Sequence, residues 1–349
     1  MDVDEALQRA KLDARLIPED VADNPWFTLC EADLAQLCRE CLPDDPLQFI
    51  FSIGTSVQAV ILYPSRLVVM YGGMFNAFCR LASRVVSSGA FVNFEGGAEP
   101  TWSSKQCSAP APVIHGLMPF MNWKEESGKW KAKTERHVLF MYLVLTLSRF
   151  VTLHEIGHVY HRHGKRFVTG GVDCCELDAA NPGLLPIAQS IPNQARELLA
   201  DNFAFLRLRE IITREMQVKA SEPACQLLKA KLLGDEYEVN RFLLHVTHLY
   251  FHMMDRQDWM YIDYREMTHP PAPFRQQNLY TLVFEYGFEG MSSSQTSKYL
   301  TETHQASEAL VAVVHQQLPP FMLQGKLEQE GFAQLYELIH QVLPDWYRT

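Results

Sequence analysis

The stretch that decides the fold reads His154-Glu155-Ile156-Gly157-His158. It follows a run of apolar residues, and the pattern from Thr134 to His163 predicts one long helix with Gly164 as its C-cap. Residues four apart in an α-helix lie on one face, about 6 Å apart along the axis, so both imidazoles can bind a single tetrahedral metal ion. Glu155 lies beside such an ion, where a carboxylate can take a proton from an attacking water. The alternative is a pair of buried histidines that hydrogen-bond to neighbouring groups.

Three candidates compete for the third ligand of such a site: a histidine placed as in a metzincin site, Glu176 and Glu197. A catalytic zinc site takes three protein ligands and leaves the fourth position to water. Glu176 lies in a glycine-flanked segment without helical periodicity, whereas Glu197 lies early in a second predicted helix, which has Asn193 as N-cap and runs to about Met216. Asp201 follows Glu197 by one helical turn and can accept the ring N–H of a ligand histidine. The spacing favours Glu197, and the alternatives are Glu176 or a solvated helix face that carries both acids.

A histidine on a rigid loop is a further candidate. The segment Thr268-His269-Pro270-Pro271 is followed by Arg275. Proline forces an extended backbone on the residue before it, which predicts that His269 lies outside any helix. Its ring can donate a hydrogen bond to the oxyanion of a tetrahedral intermediate, and Arg275 can orient substrate or fix the loop. On residue chemistry alone, a turn histidine and a surface arginine explain the segment equally well.

The other histidines receive structural roles. His161 and Gly164 stand in the reverse of the order that a metzincin site requires. We assign His161 and His163 to the last turn of the helix, where polar and cationic side chains are favoured. Three more histidines share a predicted helix, with Asp255 as the acidic residue at matching spacing: His245, His248 and His252. We expect a partly exposed or core-facing histidine face there, with a second metal site as the alternative.

A small sheet is predicted before the long helix. Strand-like patterns cover Phe49 to Phe51, Val57 to Leu62 and Leu67 to Met70, and a helix follows from Phe75 to Ser87. Helical periodicity dominates the remaining chain. The fold class that we expect is therefore α+β and helix-dominated, with a small N-terminal β-sheet.

We expect three parts along the chain. Residues 1–130 form an N-terminal lobe that contains the sheet, residues 131–280 a helical metal-binding core, and residues 281–349 a C-terminal helical segment. Residues 95–130 are rich in Gly, Pro and Ser and predict an irregular connection. The loop at 165–192 is long and rich in Gly and Pro, which is typical of a lid or a specificity element beside a site.

Composition restricts the function classes. The chain has 349 residues, a net charge of -10 and a pI near 5.7, which argues against a nucleic-acid or anionic-membrane surface. The N-terminal residues carry no export signal, and the most apolar segment is shorter than the roughly 20 residues of a membrane span. The eight cysteines show no disulfide spacing, so we expect mostly free thiols and a cytoplasmic protein.

Three short motifs occur in the order found in gluzincin metallopeptidases. They are H-E-x-x-H at 154–158, E-x-x-A-D at 197–201, and T-H-P at 268–270 with Arg275 beyond it. The chain most resembles the Lit-like phage-exclusion peptidase family, over roughly residues 60 to 280. The resemblance implies a zincin-like fold in which Zn²⁺ is bound by His154, His158 and Glu197, with Glu155 as general base and His269 as an oxyanion donor. It also implies a role in phage defence or regulation, with an intracellular protein as target.

The sequence thus predicts a zinc-dependent endopeptidase that acts on a protein or peptide substrate. The alternative is a zinc-binding sensor or interaction module with the same fold and no catalysis. An intact Glu155 favours the enzyme, because a structural zinc site has no use for that carboxylate. A zinc amidase that acts on a small molecule is a third possibility.

Overall fold

The computed structural model describes residues 2–15, 25–91, 94, 135–166, 185–219, 222–254, 263–315 and 327–347. The chain forms two compact units, Met1–Asn181 and Pro182–Thr349, so a boundary falls inside the predicted 131–280 core. The predicted division into three parts stays a prediction. The irregular connection at 95–130, most of the 165–192 loop, Glu176 and Asp255 lie outside the described residues.

The first unit contains the predicted sheet. Its strands are β1 (Gln48–Ser52), β2 (Ala59–Leu62) and β3 (Leu67–Tyr71), and β3 lies between the other two. β1 pairs with β3 in parallel, from Gln48 opposite Leu67 to Ser52 opposite Tyr71, and β2 pairs with β3 antiparallel. Every residue of β2 and β3 is buried, as expected for continuous apolar strands that are covered on both faces.

Four described helices precede or follow these strands along the chain: α1 (Val3–Ala10), α2 (Pro25–Glu40), α3 (Gly72–Ser88) and α4 (Glu135–Tyr160). Helix α1 packs Ala6 and Leu7 against apolar side chains of the sheet. Helix α3 starts directly after β3 and ends at Gly89, whose φ of 68° suits a residue without a Cβ atom. The predicted sheet and the helix after it are confirmed, so the described part of the protein is α+β and helix-dominated.

Helix α4 carries the H-E-x-x-H motif and is apolar around its whole circumference. Nearly all of its side chains from Val138 to His158 are buried, and the guanidinium of Arg149 donates hydrogen bonds of 2.7 and 2.6 Å to the carboxylate of Asp33 on α2. The helix ends at Tyr160, three residues before the predicted end. Because Arg162 adopts a left-handed φ of 58°, the chain turns there and continues as a 3-10 turn, His163–Arg166. The prediction of Gly164 as C-cap was therefore wrong.

Helix α4 is long and apolar enough to cross a membrane, but 83% of its most apolar window is buried inside the protein, as in a core helix. The cysteines among the described residues form no disulfide bond with one another: Cys30, Cys38, Cys41, Cys79 and Cys225. The cytoplasmic location stays a prediction.

The elements of secondary structure described in the second unit are helices. Its helices are α5 (Ile187–Val218), α6 (Pro223–Lys231), α7 (Glu236–Met254), α8 (Ala272–Tyr286), α9 (Ser293–His315) and α10 (Leu327–Val342). Helix α7 packs against α5, α8 and α9. Helix α5 begins at Ile187, so Asn193 is not its N-cap. Pro192 lies inside the helix, where its missing N–H removes one backbone hydrogen bond.

Candidate metal centre

The two motif histidines are held in the core of the first unit. His154 is 5% exposed and His158 is fully buried, one turn apart on α4. Their Nε2 atoms lie 3.2 Å apart, with the rings nearly perpendicular at 86°. Two ring nitrogens that share a tetrahedral zinc ion, each at about 2.0–2.1 Å, lie about 3.3–3.4 Å from one another. The pair therefore has the separation that one zinc ion requires.

Glu155 lies on the same buried turn. Its side chain is 1% exposed, and its neighbours Leu153 and Ile156 are fully buried. Because the surrounding helix faces are apolar, the carboxylate is kept away from bulk water. Such an environment suits a base that acts on a single positioned water molecule.

The turn after α4 brings a third histidine to the pair. Nδ1 of His163 lies 2.8 Å from Nδ1 of His158, on the opposite side of the ring from the nitrogen that faces His154. His163 is fully buried, and its ring stacks on that of His161 at 5.5 Å. A partner at the second ring nitrogen fixes the orientation and tautomer of a metal-binding histidine. The sequence analysis assigned His163 only to the polar end of the helix and missed this contact.

Close packing holds that turn in position. A Cβ atom placed on Gly164 would lie 2.4 to 2.6 Å from the ring atoms of Tyr63, which follows β2. Gly164 is thus needed for the approach of the turn to the sheet, and the left-handed residue at the end of the helix is Arg162.

The second unit places the remaining motif residues on α5 and around the start of α8. Glu197 is 3% exposed and Asp201, one turn later, is fully buried. Both bonds from the guanidinium of Arg275, through Nε and Nη2, reach the carboxylate of Asp201 at 2.7 Å. Arg275 therefore fixes α8 to α5, and its two predicted roles, orienting substrate or fixing the loop, stay predictions. The predicted contact of Asp201 with a ligand histidine stays a prediction.

His269 lies in the predicted loop, ahead of α8. Its Nε2 atom is 3.5 Å from Oε2 of Glu197, and its Nδ1 atom is 2.9 Å from the hydroxyl of Thr268. The side chain is 22% exposed, so part of the ring reaches solvent. The structure thus brings together Glu197, Asp201, His269 and Arg275 within the second unit, as the motif order suggested.

Two sets of side chains among the described residues have the composition of a metal site. In the first, His154 and His158 are buried in the first unit, and Glu197, buried in the second unit, is the proposed third ligand. The second is His248, His304 and Glu308, which all belong to the second unit and of which His304 is exposed.

The second set was missed by the sequence analysis, which considered His248 only with His245, His252 and Asp255. His304 and Glu308 lie four residues apart on α9, the same spacing that marks the first motif. That spacing was visible in the sequence, but the packing of α9 against α7 was not. His245 proves to be a core histidine, because its Nδ1 atom lies 2.7 Å from the hydroxyl of Ser307 and its burial lowers its pKa to about 3.

The chain was compared with protein-family models, with curated proteins and with solved structures, and none of them matches it.

Proposed function

We propose that this protein is a zinc-dependent endopeptidase of the gluzincin type, with His154, His158 and Glu197 as metal ligands. The observation that carries the proposal is the 3.2 Å separation of the two buried Nε2 atoms, with Glu155 on the same turn. Paired imidazoles and one carboxylate match the ligand preference of catalytic zinc. The 3.5 Å approach of His269 to Glu197 supports the same assignment from the second unit.

Each side chain has a distinct task in the proposed reaction. Zinc, when bound, supplies a Lewis acid that polarises the scissile carbonyl and makes the attacking water more acidic. Glu155 takes the proton from that water and delivers it to the leaving amine. His269 donates a ring N–H to the developing oxyanion, and the hydroxyl of Thr268 holds its other nitrogen. His163 orients the ring of His158.

The proposed substrate is an intracellular protein, and the proposed role is phage defence or another regulatory cleavage. Both rest on the order of the three motifs, which resembles that of the Lit-like peptidases. A sensor that binds zinc without catalysis is distinguished from the enzyme by the tests that follow.

Glu155→Gln is the decisive variant. We expect it to keep its zinc and to lose cleavage, because glutamine cannot accept the proton of the attacking water. New protein N-termini in cells that express the wild type are compared with those in cells that express Glu155→Gln. Glu135→Gln, at the exposed start of the same helix, is the matched control. Cleavage by Glu155→Gln at the wild-type level would exclude this mechanism, and a cellular effect without any new N-terminus would favour the sensor.

Glu197 is tested by metal content. We expect Glu197→Ala to lower zinc affinity strongly and His154→Ala to release the ion, both measured by elemental analysis after dialysis. Glu210→Ala, on the exposed face of α5, is the control for the first variant. Full zinc retention in Glu197→Ala would show that another residue provides the third ligand.

A further inference from the structure

A second cluster of metal-binding side chains lies where α7 packs against α9. His248 comes from α7, and His304 and Glu308 come from consecutive turns of α9. One ligand atom from each residue lies within 4.8 Å of the other two. All three residues belong to the second unit, and none of them has a part in the proposed peptidase.

The carboxylate of Glu308 is the most informative member. Its residue is 7% exposed, and among the described residues neither of its oxygens accepts a hydrogen bond. Nε2 of His248, a residue 4% exposed, lies 2.8 Å from Oε1 of Glu308, an ion-pair contact when the ring is protonated. A buried carboxylate is costly unless a cation or hydrogen-bond donors compensate it. With a neutral ring, a metal ion bound by both the imidazole and the carboxylate would provide that compensation.

His304 is the exposed member of the cluster. The ring of His304 lies edge-on to that of His248, with 6.0 Å between centroids, and edge-on to that of Tyr280, with 5.4 Å. His304 is exposed, so its side chain can adjust towards the roughly 3.3 Å separation between ligand atoms of a tetrahedral site. Two buried ligands and one adjustable ligand are sufficient for such an ion once the 2.8 Å contact between His248 and Glu308 opens to about 3.3 Å.

The cluster forms part of the wall of a pocket of about 640 Å³. The other walls come from α8 and α10 and mix amide and aromatic groups, among them Gln276, Tyr280, Phe332 and Tyr336. This volume far exceeds the roughly 30 Å³ of one water molecule, so an ion at the wall would keep a coordination position open to a small ligand. A site that is closed on all sides would be structural, whereas this one is open.

We propose that His248, His304 and Glu308 form a second site for a divalent transition-metal ion such as Zn²⁺, with an open coordination position that faces this pocket. Two imidazoles and one carboxylate are a ligand set that zinc and other first-row divalent ions accept. The cluster lies within the second unit and uses no residue of the H-E-x-x-H motif, so this proposal is independent of the proposed peptidase function.

The test is the zinc stoichiometry of the full chain. Protein stripped with a chelator is reloaded with Zn²⁺, dialysed against a weak chelator to remove loosely bound ions, and analysed by elemental analysis. We expect two zinc ions per chain in the wild type, one in His304→Ala, one in His154→Ala and none in the double variant. Because His304 is exposed, its removal leaves the core intact, and circular dichroism verifies the fold.

Controls on the same helix separate the site from general surface binding. Gln305→Ala and Glu302→Gln change exposed neighbours on α9 and should keep both ions, whereas Glu308→Gln should lose one. A wild type that binds a single ion, lost in His154→Ala and kept in His304→Ala, would overturn the second site and leave the peptidase proposal intact. A single ion that is lost only in His304→Ala would support the second site and overturn the peptidase proposal.

Discussion

Arg275 and Asp201 form a two-bond ion pair inside the second unit, with Nε and Nη2 of the guanidinium each 2.7 Å from a carboxylate oxygen. The guanidinium also lies 4.4 Å from the centre of the Phe251 ring. Asp201 follows Glu197 by one turn, and Arg275 lies six residues beyond His269 in the first turns of α8. The pair therefore holds a proposed zinc ligand and a proposed oxyanion donor in a fixed relation.

Breaking this pair should destabilise the protein strongly. In Arg275→Met the carboxylate of Asp201 remains buried without its guanidinium, and loss of one partner of a buried pair costs about 3–5 kcal/mol. We expect a lower free energy of unfolding in denaturant titrations. The double variant Asp201→Leu, Arg275→Met should recover part of the loss, because no buried charge remains.

An exposed pair in the same unit provides the control. Arg265 and Asp263 approach to 2.6 Å, but their side chains are 40% and 33% exposed. Arg265→Met should therefore change stability far less than Arg275→Met, because solvent screens the exposed pair. If Arg265→Met and Arg275→Met lowered the free energy of unfolding equally, burial of the Arg275–Asp201 pair would have no energetic importance.

The contact between His163 and His158 predicts an effect on metal affinity. Removal of a side chain that orients a metal-binding histidine typically weakens binding about 10–100-fold. We expect that loss in His163→Ala, measured by competition with a chromophoric chelator. His163→Gln keeps a hydrogen-bonding group at this position and should recover part of the affinity. Unchanged zinc affinity in His163→Ala, in a folded protein, would show that the contact does not support the site.

The packing of Gly164 on Tyr63 predicts a coupled pair of substitutions. The Cβ atom of Gly164→Ala would lie 2.4 Å from the Tyr63 ring, so the turn or the ring must move. Overpacking of this kind costs about 1–3 kcal/mol. Tyr63→Leu should relieve the clash, so the two changes together should cost less than the sum of the single changes. Additive losses in denaturant titrations would contradict this account.

The part of the site that the sequence predicted is the part that local spacing encodes. His154 and His158 lie one turn apart on a single helix, and any helix over this segment brings their rings together. The same holds for Glu197 and Asp201 on α5. The strands of the sheet could also be predicted from the sequence, because their apolar runs and the turns between them are local patterns.

Errors arose at helix starts and where distant segments pack together. Pro192 suggested a helix start at Asn193, but α5 begins earlier, at Ile187. The helix continues through Pro192 although one backbone hydrogen bond is lost there. Helix α8 was not predicted, although Pro271 and Pro273 suit its first turn. The His248, His304 and Glu308 cluster depends on the packing of two helices from different parts of the chain, which no local period shows.

The buried His245 predicts a distinct pH dependence of stability. Its pKa falls from the ordinary 6.5 to about 3, mainly because burial disfavours the charged ring, and also because Arg241 and His248 lie nearby. Between these values the unfolded chain binds a proton that the folded protein excludes. The stabilising contribution is therefore complete above pH 6.5 and decreases as the pH falls towards 3.

His245→Gln removes the titrating ring while keeping a polar group opposite the hydroxyl of Ser307. We expect the variant to lose less stability than the wild type between pH 6.5 and 4, measured by denaturant titration of metal-free protein. His340→Gln, at an exposed position on α10, should retain the wild-type slope and serves as the control. If His245→Gln and the wild type showed the same slope, the His245 ring would be solvated in the folded protein, and the packing of α7 against α9 around it would be looser than the 2.7 Å contact with Ser307 indicates.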